Sequence, residues 1–115
     1  MWHAVELSAA AAAAGGLIFD HLFESYVAFG EAPEEALARA AQRVMDIRRA
    51  AGRLATFPVR GTARDDVLPG IRFVAIAGAI YWFDVDQTTR TVRILAVFFG
   101  GQDHVGRMLV RLLGG

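Results

Sequence analysis

The side chains with most capacity for chemistry are four arginines and a histidine. Arg60 and Arg64 sit in a polar stretch, Arg72 and Arg93 lie within β-rich runs, and His104 follows Gly100-Gly101-Gln102-Asp103. Guanidiniums grouped on one surface bind phosphate or carboxylate bidentately, and a histidine at a strand end can act as a base. With Gly78-Ala79 read as a two-residue turn, Ala77 pairs with Ile80 and Arg72 lies opposite Val85. With Val85 pairing near Thr91, Arg93 then falls on the same sheet face as Arg72 and Tyr81. The alternative is that Arg72 and Arg93 pair with Asp65, Asp66 or Asp84 as surface ion pairs. Asp65-Asp66, between Arg60, Arg64 and Arg72, reads as salt-bridge partners rather than acid/base machinery. There is no Gly-rich phosphate loop and no nucleophile elbow. Cysteine is absent and the three histidines (His3, His21, His104) are scattered, so neither a metal nor a cofactor is expected.

Charge is balanced only in total. All 12 basic residues are arginine, against 12 acids. Residues 1–38 carry six acids and no arginine, whereas residues 39–64 carry seven arginines and Asp46 alone. Two surfaces of opposite sign follow, one of them suited to an acidic partner, unless the two halves neutralise each other across a helix pair. A chain of 115 residues, 55% hydrophobic and with zero formal charge, suits one domain spanning 1–115 and is too apolar for disorder. No run of some 18 strongly apolar residues offers a membrane span. Ala9–Ala14 with Gly15-Gly16 lacks the basic flank of an export signal. With no cysteine, a cytoplasmic location is expected.

The elements that must position these side chains are two helices followed by a β-meander. Trp2–Leu7 reads as an edge strand and Ser8 as a helix cap. Ile18, Leu22, Tyr26 and Phe29 mark one helical face, which Gly30 ends. Pro33-Glu34-Glu35 opens a second helix whose apolar positions are Leu37, Ala40, Val44, Ile47, Ala51 and Leu54. So short a loop makes the pair an antiparallel hairpin. Phe57-Pro58 closes this half, and Val59–Gly70 is polar and ends in a turn signal. Ile71–Ala77, Ala79–Val85 and Thr91–Phe99 then read as three antiparallel strands, and Asp103 as the cap of a short C-terminal helix carrying Val105, Met108, Leu109 and Leu112. The fold class is α+β.

This meander is apolar on both parities. Val74, Ile76, Tyr81, Phe83, Leu95, Val97 and Phe99 share one, and Ile71, Phe73, Ile80, Trp82, Ile94 and Phe98 the other. A sheet with one wet face should alternate apolar with polar. One hairpin covers one face, so the other is expected to be covered by a protein partner, with the short C-terminal helix as the alternative.

The stretch Pro58-Val59-Arg60-Gly61-Thr62-Ala63-Arg64-Asp65-Asp66-Val67-Leu68-Pro69-Gly70-Ile71-Arg72 resembles the signature of the RelE/ParE superfamily of bacterial type II toxins. The run from Val92 to Asp103 resembles that family's last strand and its Gly-containing end, and the order of elements is similar over nearly the whole chain. The resemblance implies an α+β RelE/ParE-like fold: an N-terminal edge strand and helix hairpin on a small antiparallel sheet, with a short C-terminal helix. It implies a toxin of a plasmid-stabilisation-like module that inhibits growth and is held in a hetero-oligomer by a cognate antitoxin. The antitoxin would lay a helix or strand over the sheet, contacting Arg60, Arg64, Arg72, Tyr81, Phe83, Leu95 and Val97.

ParE-like members bind DNA gyrase without known chemistry of their own, whereas RelE-like members cleave mRNA on the ribosome. Arg72 matches the family's arginine after the Pro-Gly turn. Ala96 stands where many relatives have arginine, Phe99 where they often have tyrosine, and Ala79, Ile80, Gly101 and Gln102 where RNA-cleaving relatives are basic. Cleavage needs cationic stabilisation of developing charge, so the gyrase-binding branch is favoured. The alternatives are an mRNA endonuclease using Arg72, Arg93 and His104, and a non-toxic regulatory module that binds only its antitoxin.

Overall fold

A computed structural model describes residues 4–56, 61–99 and 104–114, with side chains as far as Val110. Strand β1 (Ala4–Leu7) runs into Ser8, whose side chain accepts the Ala11 N–H at 3.0 Å and caps α1 (Ala9–Ala28). Alanine's propensity carries this helix through Gly15-Gly16 despite a cost of about 1 kcal/mol per glycine. The helix stops short of Gly30, whose φ of +99° breaks it. Phe29 is the C-cap and is 89% exposed, so it leaves the apolar face that Ile18 and Leu22 bury. Helix α2 (Pro33–Ala51) opens on Pro33, Glu34 and Glu35 and closes on Arg48 and Arg49, each sign matched to its end of the macrodipole. Its inner face is Ala36, Ala40, Val44 and Ile47; Leu37, expected inside, is exposed because Ala36 takes the inward position. A single 3-10 turn, Gly52–Ala55, follows and buries Leu54.

Strands β2 (Thr62–Ala63), β3 (Arg72–Ile76), β4 (Ala79–Asp86) and β5 (Thr91–Phe99) complete a sheet of order β1-β5-β4-β3-β2. The β5–β4–β3–β2 pairs are antiparallel, and β1 lies parallel to β5 at the edge expected for it. The two-residue β2 lies in the stretch read from sequence as loop. Helix α3 (His104–Gly114) closes the chain. Trp2 of the expected edge strand, Phe57-Pro58, Arg60, and Gly100-Gly101-Gln102 with the Asp103 cap lie outside the described residues.

The register departs from expectation in two places. The β3–β4 turn is Ala77-Gly78, not Gly78-Ala79: both residues have positive φ (54° and 78°), and Ile76 pairs with Ala79. That is the handedness of a type I′ turn, which places glycine second and matches the twist of the strands. Arg72 therefore faces Phe83 rather than Val85. Between β4 and β5, Asp86 accepts from the backbone of Thr88 and Thr89 at 3.0 and 3.3 Å, so that Asp86 itself pairs with Thr91. A bulge follows: Trp82 opposes Ala96 and Phe83 opposes Ile94, leaving Leu95 extra. Ile94 thus joins the face of Tyr81 and Phe83, while Leu95 leaves it for the opposite one. The Ser8 hydroxyl donates to the Leu95 carbonyl at 2.9 Å, tying the β1–α1 corner to the bulge.

Both sheet faces are covered by this chain's own residues, so the second face is met by the C-terminal helix, the alternative, rather than by the expected protein partner. The α1–α2 hairpin lies on Ile76, Tyr81, Phe83, Val92, Ile94 and Val97. On the other face Met108 and Val105 of α3, with Val67 of the β2–β3 loop, pack on Ile71, Trp82, Ala96 and Phe98. The short helix suffices because the loop shares the work. Beneath the hairpin the Tyr81 hydroxyl donates to the Ile47 carbonyl of α2. Burial pushes this phenol up from 10.0 to about 12, against the opposing pull of Arg43 and Arg53.

The unfolded chain releases the Tyr81 proton near pH 10 and the folded chain only near 12. Between those values the folded state holds more protons, so stability falls as pH rises through the window, by about 2–3 kcal/mol in all. Urea midpoints measured from pH 8 to 12 should show this fall. Tyr81→Phe should remove Tyr81's share of it, at a cost of about 1 kcal/mol at neutral pH.

Candidate functional site

The segment Gly61–Arg72 is a closed loop on the sheet's β2 edge. Gly61 has φ +81° and lies against the Phe73 carbonyl, where a side chain would collide with backbone. Thr62 and Ala63 pair with Phe73 and Arg72, and the Arg64 N–H donates to the Ile71 carbonyl at 2.9 Å, so the loop's two ends are stitched together. Inside it the Val67 N–H bonds to the Arg64 carbonyl and the Ile71 N–H to the Leu68 carbonyl, both at 3.0 Å. The Gly70 N–H bonds to the Asp65 carboxylate at 2.8 Å. The side chain of Arg64 holds Asp66 bidentately at 2.8 and 2.7 Å. That pairing holds the Asp66 carboxyl below the usual carboxylate range and raises Arg64. The carboxylate pair therefore does two different jobs: Asp65 braces the turn and Asp66 holds Arg64.

Arg72 and Arg93 do not share a face. Arg72 pairs across to Phe83, on the hairpin side, and is half-buried and engaged within the fold. Arg93 pairs with Asp84 on the opposite side, binding it bidentately at 2.8 and 3.0 Å. The hydrogen bond and charge of Asp84 raise the Arg93 pKa, with smaller contributions from Asp86 and from Glu6 on β1. The expected two-guanidinium cluster is thus split by the single-residue difference in β4–β5 register, and the ion-pair alternative holds for Arg93.

His104 belongs to an aromatic cluster at the start of α3. The indole N–H of Trp82, itself fully buried, donates to His104 Nδ1 at 3.2 Å. The Phe73 ring lies 4.8 Å from His104 and 5.0 Å from Trp82, centroid to centroid. A buried indole N–H must find an acceptor, and an imidazole with a free lone pair on Nδ1 supplies it. His104 fastens α3 to the sheet. Sequence reasoning missed this pairing, although a tryptophan in an otherwise apolar strand was the signal that a polar partner had to lie across the fold.

Of the residues expected to meet an antitoxin, Tyr81 and Phe83 are fully buried under the hairpin and Val97 is 8% exposed. As an accessible face these three are withdrawn, because the chain's own helices occupy that side. Leu95 is half-buried on the other face, Arg64 and Arg72 lie at the rim, and Arg60 falls outside the described residues. On α2, Arg39 pairs with Glu31 and stacks over Tyr26 at 4.3 Å, and Arg43 donates to the Ala77 carbonyl and lies over Phe99 at 5.5 Å. Arg39–Glu31 thus joins the acidic half to the basic half at the hairpin's loop, while among the described residues no ion pair joins the acids of α1 itself to the arginines of α2. No group of three metal-capable side chains occurs among the described residues, and no helix there is long and apolar enough to cross a membrane.

No protein-family model matches the sequence, and no curated protein matches it. Among solved structures, the chain is similar to one from the chromosomal ParDE TA system of P. aeruginosa. The TM-score is 0.59 at 20% identity, over 86% of this chain and 97% of that one. A chain of the toxin–antitoxin complex RelBE2 from Mycobacterium tuberculosis aligns over 86% of this chain and 99% of its own, at 17% identity and a TM-score of 0.44. The first likeness is one of fold: strand, helix hairpin, antiparallel strands and short C-terminal helix form the RelE/ParE fold.

If His104 fastens α3, then His104→Phe should keep the ring packing but orphan the Trp82 N–H. A loss of about 1–3 kcal/mol is expected, with faster amide exchange along α3 and altered Trp82 emission. His104→Gln, whose side-chain oxygen can accept, should recover part of it. Unchanged exchange in His104→Phe would exclude the fastening role.

Proposed function

We propose that the chain is the toxin of a type II toxin–antitoxin module, held inactive in a complex with a cognate antitoxin, and that it inhibits growth by binding DNA gyrase in the cytoplasm. The observation that carries the first part is the fold likeness to a ParDE-system chain, which spans nearly the whole of both molecules. Arg64, Arg72 and Leu95, with Arg60 from the sequence signature, are the proposed antitoxin contacts. Arg64 and Arg72 flank the loop edge and Leu95 is half-buried on the α3 face, where a partner can dock without displacing the hairpin.

The preference for gyrase over mRNA cleavage rests on the dispersal of the candidate catalytic groups. Phosphodiester cleavage needs donors and cations converging on one developing charge. Here Arg72 lies on the hairpin side of β3, Arg93 is committed to Asp84 on the opposite side, and His104 accepts from Trp82. Nothing in that arrangement favours the endonuclease reading.

Induced expression without its neighbouring genes should arrest growth through DNA replication while translation continues. Purified protein should inhibit gyrase supercoiling, and co-expression of the partner gene should relieve both effects. Supercoiling untouched at large excess, or cuts in translated mRNA by primer extension, would overturn the gyrase reading. Harmless expression would point to the regulatory module instead.

A further inference from the structure

The geometry points to a ligand pocket between α1, α2 and the sheet, shaped for a monocarboxylate with an apolar tail. The first half of α1 turns Ala11, Ala14 and Gly15 inward, and side chains this short leave space between α1, α2 and the sheet. A cleft of about 330 Å³ is left open. Its apolar walls are Ile18 of α1 with Val44 and Ile47 of α2, and Tyr81 and Val97 form its floor. That volume is at the lower end of small-ligand pockets, which run about 300–1,000 Å³. It would hold roughly ten methylene-sized groups if each takes the ~30 Å³ of a liquid water molecule. The one polar group in the floor, the Tyr81 hydroxyl, already donates to the Ile47 carbonyl, so the interior offers a tail nothing but apolar contact.

The mouth is different. Arg48 lines it, and its guanidinium lies so close to Gly15 that a Cβ there would come within 2.9 Å of Nη2. Arg48 is exposed and makes no hydrogen bond or ion pair among the described residues, unlike Arg39, Arg43 and Arg49 on the same helix. Arg43 and Arg53 extend a positive potential to the Tyr81 hydroxyl. Arg48, the one guanidinium among the lining residues and set beside an apolar cleft, matches one carboxylate on one apolar tail, the planar fork binding both oxygens. This pocket is independent of the toxin reading, which uses the opposite sheet face and the loop edge.

Sodium octanoate, with 1-octanol as its uncharged counterpart, tests this on the full chain by methyl-resolved NMR. Octanoate should give saturable shifts confined to the methyls of Ile18, Val44, Ile47 and Val97. Arg48→Gln should weaken octanoate about fivefold, less so at high salt, and leave 1-octanol unchanged. Filling the cleft with Ala11→Leu should abolish both; should that variant fail to fold, Ala12→Leu on the exposed lip serves the same purpose. Absence of saturable shifts at those methyls overturns the pocket. Equal affinity for octanoate and 1-octanol, with Arg48→Gln without effect, overturns the assignment of a carboxylate.

Discussion

A β-layer whose two faces are both apolar must be covered on both, because each uncovered side chain forfeits about 25 cal/mol per Å² of buried apolar surface. With Tyr81, Phe83, Val92 and Ile94 on one side and Ile71, Trp82, Ala96 and Phe98 on the other, that requirement governs the rest of the molecule. The hairpin meets it on the first face with two long helices. On the second face no long element is available, and the chain uses α3 together with the stitched loop of residues 61–72. The sheet is the centre of a three-layer arrangement.

Each cover is fixed by a specific polar contact rather than by packing alone. Ser8 caps α1 and grips the carbonyl of the bulge residue Leu95, so the entry of the hairpin is tied to the sheet. Tyr81 reaches up to the Ile47 carbonyl and locks the register of α2 over β4. Trp82 does the same on the far side through His104. Tyr81 and Trp82 are neighbours in β4, pointing to opposite faces as alternate residues of a strand must. One dipeptide thus supplies the buried polar anchor for both covering layers, and each hydroxyl or indole N–H is satisfied only while its layer is in place.

Much of this was legible in the residues. Ser8, Gly30 and Pro33 mark helix ends through capping and backbone chemistry that act locally, and α1 and α2 follow them. The β-rich runs, the edge strand and the α+β class were legible for the same reason. The register was not. A period-two pattern that is apolar on both parities carries no information on which residue faces which layer. Asp86 closing its loop on Thr88 and Thr89, and the bulge at Leu95, then decided it, and they sent Arg93, Ile94 and Leu95 to faces other than those expected. The Ala77-Gly78 turn needs a positive φ at an alanine, which propensity alone does not suggest. The antitoxin-facing reading of Tyr81, Phe83 and Val97 failed for a related reason: sequence pattern gives the apolar parity but not which face the hairpin takes.

The charge asymmetry takes its meaning from the same architecture. Arg39 of α2 takes up Glu31 of the hairpin loop, and the other acids of residues 1–38 stay exposed with no ion pair among the described residues, so most of the sign difference between the two halves is kept at the surface. The arginines near the sheet are used up one by one: Arg43 on a turn carbonyl, Arg64 on Asp66, Arg93 on Asp84. A guanidinium already holding two carboxylate oxygens has little left to offer a phosphate in flight between two bonds. A surface with scattered, mostly committed cations can still recognise an extended acidic partner, since binding sums many weak contacts over a large area while cleavage needs several at one point.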